Sequence, residues 1–344
     1  MKIGIHHREG SFSDRWIEYL EVNNIPYIIY DSFDNEIISK LRNDNITHYM
    51  WHFNQNYFED MLYAKSFLRA INEMGIDTFP NESSFWHFDD KVSQKYLLES
   101  LNAPLIDCSV FYDKKCALSF IESAVFPVVF KLTGGAGSIN VKLMKSKFQA
   151  RKFVNKAFDK GFPSFDKKTI FTDTVKRFKV KKTLHNFLRI FYWGWKVIFP
   201  TSRMKAFPNQ KGYIYFQKFI PNLTYDIRLI VIGNKCYYLK RNTRYNDFRA
   251  SGSGMLEFLP DKDFNRAAVK VAFEYSHKLD MPCIAYDFVF ENTNPLIVEI
   301  SYGFQPYVYD QCLGYFDIDA VWHNDKVNLE YAIIETFLQN STIQ

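Results

Sequence analysis

The sequence predicts an α/β chain: a small parallel layer followed by two mixed α+β units. Three observations carry this. Residues 2–80 alternate short apolar strands with amphipathic helices, the order that builds a parallel sheet with helices on both faces. Two strand–turn–strand units follow, at 126–144 and 284–301. The 344 residues are 47% hydrophobic and 18% aromatic, enough for two or three packed domains and too apolar for a disordered chain. The expected boundaries are 1–83, 84–220 and 221–344.

In order, Lys2 to His6 reads as a strand, and Ser13 or Asp14 as the cap of the helix that follows. Pro26 to Tyr30 is the next strand, Glu36 to Arg42 a helix and His48 to His52 a third strand. Phe58 to Met74 is a helix stopped at Gly75. Asp89 to Leu101 is a helix, and Phe126–Lys131 and Ile139–Met144 are strands around a glycine-rich turn. Phe148–Phe158 is helical. Strands follow at Gly212–Phe219, Asp226–Ile232 and Lys235–Lys240, then a helix at Phe264–Leu279, an acidic hairpin, and a final helix at Leu329–Leu338. No internal repeat and no low-complexity stretch interrupts the pattern.

Composition narrows the function classes. Met1 to His7 lacks the apolar stretch of a signal peptide, and no run of about 18 apolar residues occurs. The five cysteines, Cys108, Cys116, Cys236, Cys283 and Cys312, are odd in number and scattered, with no CxxC. Reduced thiols in the cytoplasm and no zinc site are therefore expected. The net charge of +5 is local: Thr174 to Tyr225 holds eleven basic residues and no acid, so the rest of the chain is net negative. Such an asymmetry points to one anionic partner surface.

The acidic hairpin carries the first chemistry. Asp287 sits in Ile284–Phe290 and Glu299 in Leu296–Ser301, both apolar, β-branched and aromatic runs. The five residues Glu291–Pro295 read as the turn between them. Carboxylates on neighbouring apolar strands repel unless a cation sits between them. Strand alternation puts Ser301 on the face of Glu299. Asp287, Glu299 and Ser301 thus form a candidate Mg²⁺ site of hard oxygen ligands, completed by phosphate. The alternative is two exposed strand ends with ordinary acids.

The turn after Lys131 contains Gly134, Gly135, Gly137 and Ser138. Its glycines let backbone N–H groups approach a phosphate, and Lys131 precedes them on the strand. It is neither a P-loop nor a dinucleotide fingerprint, since a strand and not a helix follows. Gln217-Lys218-Phe219-Ile220 ends a strand where backbone groups can meet an adenine edge. Asp226 and Arg228 share a face of the next strand. Arg228, Lys240 and Arg249, with Ser251 in a second Gly/Ser-rich loop, are the candidate catalytic groups, cations for phosphate and a developing oxyanion. His52 and Asn54 close the third strand, where ligands bind in open α/β sheets; His52 is either a substrate contact or a satisfied core histidine.

Taken in order, these parts resemble the ATP-grasp superfamily of carboxylate–amine ligases over about residues 1–305, most closely its branch of glutathione synthetase-like and protein glutamate ligases. The resemblance implies an N-terminal parallel βαβ domain and two α+β subdomains that clasp ATP. It makes Lys91, Lys131 and the Gly134–Ser138 turn the phosphate ligands. It makes Gln217–Ile220 the adenine hinge, Asp226 the ribose-side acid, and Asp287, Glu299 and Ser301 the Mg²⁺ ligands. Asn is usual at the last of these positions; a Ser hydroxyl is the weaker ligand and disfavours a second, tightly held metal. The implied partners are a carboxylate and an amine, and related ligases add amino acids to bacterial surface polysaccharides. A kinase acting on a hydroxyl and a non-catalytic nucleotide binder at the membrane are the alternatives. The oligomeric state is not encoded in any motif.

The acid-free insertion at 174–211 has no counterpart in that pattern. Leu184, Leu188, Phe191, Trp195 and Ile198 recur at helical spacing, with Lys182, His185, Arg189 and Lys196 largely off the stripe. The expectation is peripheral binding to an anionic membrane, on the inner face of the plasma membrane for a cytoplasmic protein. Packing of the stripe on the domain is the main alternative, and a nucleic-acid surface the less favoured one.

Overall fold

A computed structural model describes residues 1–134, 140–164, 171–172, 174–175, 178, 182–199, 206–244 and 247–340. The first layer contains β1 (Ile3–His6), α1 (Phe12–Val22), β2 (Tyr27–Tyr30), α2 (Ile37–Asn43), β3 (His48–Trp51), α3 (Phe58–Asn72), β4 (Asp77–Phe79) and a short α4 (Glu82–Phe85). Its strands run parallel in the order β2-β1-β3-β4. The cap of α1 is Ser11, not Ser13 or Asp14: its hydroxyl accepts the Ser13 N–H while Ser13 turns inward, fully buried. Gly75 ends α3 with φ +77°, where a side chain would be strained.

α5 (Lys91–Ser100) leads to β5 (Cys108–Phe111), α6 (Lys114–Ser123), β6 (Val128–Lys131), β7 (Lys142–Met144), α7 (Lys147–Phe158) and β8 (Phe162–Pro163). Then come α8 (Leu184–Ile198), β9 (Asn209–Gln210) and β10 (Ile214–Lys218). The second sheet is β5-β10-β6-β7, antiparallel, with β8 and β9 paired beside it. The third sheet contains β11 (Tyr225–Ile232), β12 (Lys235–Asn242), β13 (Leu256–Glu257), β14 (Cys283–Glu291), β15 (Asn294–Ser301), β16 (Tyr315–Phe316) and β17 (Trp322–His323), in the order β15-β14-β11-β12-β16-β17 with β13 on β12. Helices α9 (Ala267–Lys278) and α10 (Leu329–Asn340) complete the chain.

The helix that bears Lys91 follows the third sheet rather than the second. Lys91, Gln94 and Leu98 form its buried face, at helical spacing. Leu98 enters the apolar cluster of Ile227, Leu229, Tyr286 and Ile300. The Gln94 amide donates to the Ile300 carbonyl (2.8 Å) and accepts the Ile300 N–H (3.2 Å), pinning α5 to the exposed edge of β15. The acidic turn is tighter than the five residues read from the sequence: Glu291 pairs with Asn294 and Phe290 with Pro295, leaving Asn292 and Thr293 at the tip. Pro295 is tolerated because β15 is the edge strand. Among the described residues no helix is long and apolar enough to cross a membrane.

Candidate active site

The site is a row of charge laid across four adjacent strands. Arg241 on β12 stands opposite Asp226 on β11; Arg228, two residues on, stands opposite Asp287 on β14; and Asp287 stands opposite Glu299 on β15. Opposed residues in antiparallel strands share a face, so all five face one cavity of about 510 Å³. A bulge between Asp287 and Phe288 inserts an extra residue on β15, re-aiming that strand beside the cavity.

The ion pairs are close. Arg228 grips Asp287 with Nε and Nη2 at 2.6 and 2.9 Å. Arg241 holds Asp226 at 2.6 and 2.8 Å and reaches Asp287 Oδ2 at 2.9 Å. Burial would raise the Asp287 carboxyl, but Arg228 and Arg241 hold it well below the usual carboxylate range. At Asp226 burial prevails over the pull of Arg241, and the carboxyl is pushed up. Lys91 Nζ donates to Glu299 Oε1 at 3.0 Å; burial alone would lower this ammonium, but Glu299 and Asp89 more than offset it.

Lys131, at the end of β6, lies against the same cavity and is buried. It has no ion-pair partner among the described residues. Burial, with Lys91 adding repulsion, brings its ammonium down to about 8. The base of the glycine turn is tied to α5 by the Lys91 N–H to the Thr133 carbonyl, 3.0 Å. Gly134 packs close to Asp89: a Cβ would stand 2.9 Å from Asp89 Oδ2 and 3.3 Å from the Asp89 carbonyl, so a side chain there would displace the Asp89 carboxylate. Gly135, Gly137 and Ser138 lie outside the described residues.

On the far wall, Gln217, Lys218, Phe219 and Ile220 line the cavity. Gln217 Nε2 is buried without a hydrogen-bond partner among the described residues, a costly state that a ligand acceptor would relieve. The Lys218 side chain turns outward to Glu291, 2.6 Å, leaving its backbone at the wall. Arg249 and Ser251 also line the cavity, with Arg249 bound to Asp247 at 2.8 and 2.9 Å. His52 lines it too, stacked on Phe12 at 3.7 Å and accepting the Phe12 N–H, so burial keeps it neutral with its pKa near 3. Asn54 lies beside it, accepting the Asn56 N–H.

One expectation needs correction. Lys240 does not line the cavity. It points from the other face of β12 to Asp261 (2.8 Å) and Glu257 (3.2 Å), because strand alternation gives the inward position to Arg241. Ser301 lines the cavity, but its hydroxyl donates to the Gly303 carbonyl (2.7 Å) and accepts the Gly303 N–H (3.1 Å). Arg241 and Asp89 were missed; the left-handed φ of +54° at Asp89 was the kind of signal only a backbone shows.

No protein-family model matches this sequence, and no curated protein matches it significantly. Solved structures do match over nearly the whole chain. The RimK domain ATP-grasp protein of Sphaerobacter thermophilus aligns over 98% of this chain and 100% of its own, at 12% identity and a TM-score of 0.55. D-alanine–D-alanine ligase of Bacillus anthracis, complexed with ATP, aligns over 100% and 98%, at 13% identity and 0.55. The chain has the ATP-grasp fold. The biotin carboxylase domain of Hydrogenobacter thermophilus 2-oxoglutarate carboxylase, with MgADP and bicarbonate, aligns over 97% of this chain and 69% of its own, at 11% identity and 0.57.

Among the described residues no group of three His, Cys, Asp or Glu could hold a metal ion. Among the described residues Asp287 and Glu299 are the opposed carboxylates at the expected place, each already accepting cationic N–H groups. A bare Mg²⁺ is poorly served there. Two carboxylates plus phosphate oxygens and water are, however, the usual set for Mg²⁺ that arrives on a nucleotide.

Proposed function

We propose that this protein is an ATP- and Mg²⁺-dependent ligase that activates a carboxylate as an acyl phosphate and joins it to an amine. The observation that supports this most is the convergence of buried Lys131, Lys91 and Arg241 and half-buried Arg228 with Asp287 and Glu299 around one cavity that also holds an orphaned amide at Gln217. Lys131 and Lys91 would bind the phosphates, helped by N–H groups of the turn at Gly134, Gly135, Gly137 and Ser138. Gln217 and the backbone at Phe219 and Ile220 would meet the base. Asp226, held by Arg241, would face the ribose side. Asp287 and Glu299 would hold Mg²⁺, which when bound neutralises charge across the β- and γ-phosphates.

A substrate carboxylate oxygen attacks the γ-phosphorus and ADP leaves. The amine nitrogen then attacks the acyl carbon, inorganic phosphate departs and the amine gives up a proton. Arg228, fixed by Asp287, and Arg249 with Ser251 line the cavity and would counter the charge that builds on the transferring groups. Closure over the cavity would protect the acyl phosphate from water.

The finer part of the proposal is the acceptor: a bacterial cell-surface polysaccharide or its lipid-linked precursor, receiving an amino acid. A second pocket of about 450 Å³ supports it, lined by Tyr57, Tyr192 and Trp193 together with Asn54, Asn56 and Gln305. Flat aromatic faces beside planar amides suit a sugar ring, apolar on its C–H faces and rich in hydroxyls at its rim. The test is product analysis with purified protein, Mg²⁺-ATP, pooled amino acids and uronic-acid glycans. A ligase releases ADP and phosphate together, and only when an acid and an amine are both present. ADP with a stable phosphorylated product would make it a kinase, and neither product, with tight nucleotide binding, a non-catalytic binder.

A further inference from the structure

Helix α8 has two unlike faces. On one, Tyr192, Trp193 and Lys196 wall the second pocket against Arg8, Glu9 and Tyr57 of the first layer. Phe207 fastens the insertion to the first layer, its ring edge-on against Phe58 at 5.0 Å. On the other face Leu184, Leu188, Phe191, Trp195 and Ile198 are 73, 58, 63, 62 and 70% exposed. The stripe read from the sequence is therefore not core. It is a row of five large apolar side chains about 21 Å long; among the described residues the rings packed on it are Phe187 against Phe191 and Phe199 against Trp195, both from the same segment, and the rest is the kind of patch that marks an interaction surface.

The charge of the segment selects the occupant. Thr174 to Tyr225 has eleven basic residues and no acid; Lys218 pairs with Glu291 at the wall of the larger cavity, which leaves ten for a partner surface. A nucleic acid would use the cations but has no place for Leu184, Leu188 and Ile198. An anionic bilayer uses both: acyl chains take the stripe, lipid phosphates take the cations, and Tyr192 and Trp195 sit at the interface. We propose that α8 docks on an anionic lipid bilayer through this stripe, with the second pocket on the helix's other side. That pocket shares His52, Asn54, Asn56 and Gln305 with the larger cavity. The docking itself does not depend on the ligase reading.

The experiment is co-sedimentation of the full chain with vesicles of equal phosphatidylglycerol and phosphatidylcholine, and of phosphatidylcholine alone. The intact protein should bind the anionic vesicles at least about tenfold better, and salt should weaken binding without abolishing it. Trp195→Glu, and separately the milder Leu188→Ser, should lower binding about tenfold or more for the first and severalfold for the second, with unchanged circular dichroism. Failure of the intact chain to bind anionic vesicles overturns the proposal. So does unfolding of Trp195→Glu, which would make the stripe core, or a dimer in sedimentation velocity that Trp195→Glu dissolves, which would make it a contact between copies. Nucleotide binding measured without vesicles reports on the ligase reading separately: its loss would sink that reading and leave the docking intact.

Discussion

Lys131 offers the sharpest test of the nucleotide site, because its proton is held loosely. Burial beside Lys91 brings the ammonium down to about 8 in the free protein. A bound triphosphate favours the charged form and must raise that value. The sign follows: below about pH 8 Lys131 is already protonated and affinity is flat, whereas above it the free protein must take up a proton to bind. At pH 9 about one molecule in ten carries that proton, so affinity should be about tenfold weaker than at pH 7, close to 1.4 kcal/mol. Phosphate loses its own last proton near pH 6, well outside this window. Calorimetry in two buffers of different ionisation enthalpy should show proton uptake near zero at pH 7 and approaching one per ATP at pH 9. Lys131→Met should weaken binding at pH 7 by the worth of a charge-assisted contact, about 1.5–3 kcal/mol, and should abolish the slope. A slope that survives in Lys131→Met, or a flat profile in the intact protein to pH 9.5, would refute the assignment.

Three further outcomes are expected. Glu299→Gln keeps the shape of the side chain and should cut Mg²⁺-dependent turnover about 10²-fold, as loss of other preorganised charges does; steady-state kinetics on folded protein decides it. Arg241→Met strands the buried carboxylate of Asp226 and half-strands Asp287, so urea unfolding should report a loss of about 3–5 kcal/mol. Lys240→Ala should leave kcat/KM within about twofold and cost under about 1 kcal/mol of stability, since its partners Asp261 and Glu257 are at the surface.

How far the sequence reached depends on whether local pattern or partner register decides a feature. Asp287 and Glu299 were legible because one short turn fixes which residues of β14 and β15 stand opposite, even though the turn proved tighter than its composition suggested. The strand before Lys131 and the helix stopped by Gly75 were legible for the same reason. Arg241 was not. Strand β12 is buried along both faces, with Cys236, Tyr237, Tyr238 and Leu239 all inside, so alternation offers no polar face to choose between Lys240 and Arg241. Only pairing with Asp226 across β11 decides. Strand β5 and helix α6 were passed over despite the cap at Asp113, because a half-buried edge strand lacks a clear period. The stripe of α8 was read correctly as a stripe, but its spacing is the same whether it meets a core or solvent.

The charge row also bears on the order in which ligands enter. Asp287 and Glu299, opposed in register, would repel if left bare. The chain meets that repulsion with fixed cations: Arg228 and Arg241 on Asp287, Lys91 on Glu299. The third sheet can therefore fold with its acidic pair satisfied and no metal present. The same cations would repel a free divalent ion and attract a triphosphate, so in the proposed reading Asp287 and Glu299 would take Mg²⁺ only together with phosphates. Lys131, without an ion-pair partner among the described residues and only loosely protonated, is the group with most to gain when those phosphates enter. A site balanced in this way is held ready by its ion pairs and completed by its nucleotide, which is why Lys131 and Glu299, one on each side of the cavity, are the positions where substitution should be felt in binding and in turnover respectively.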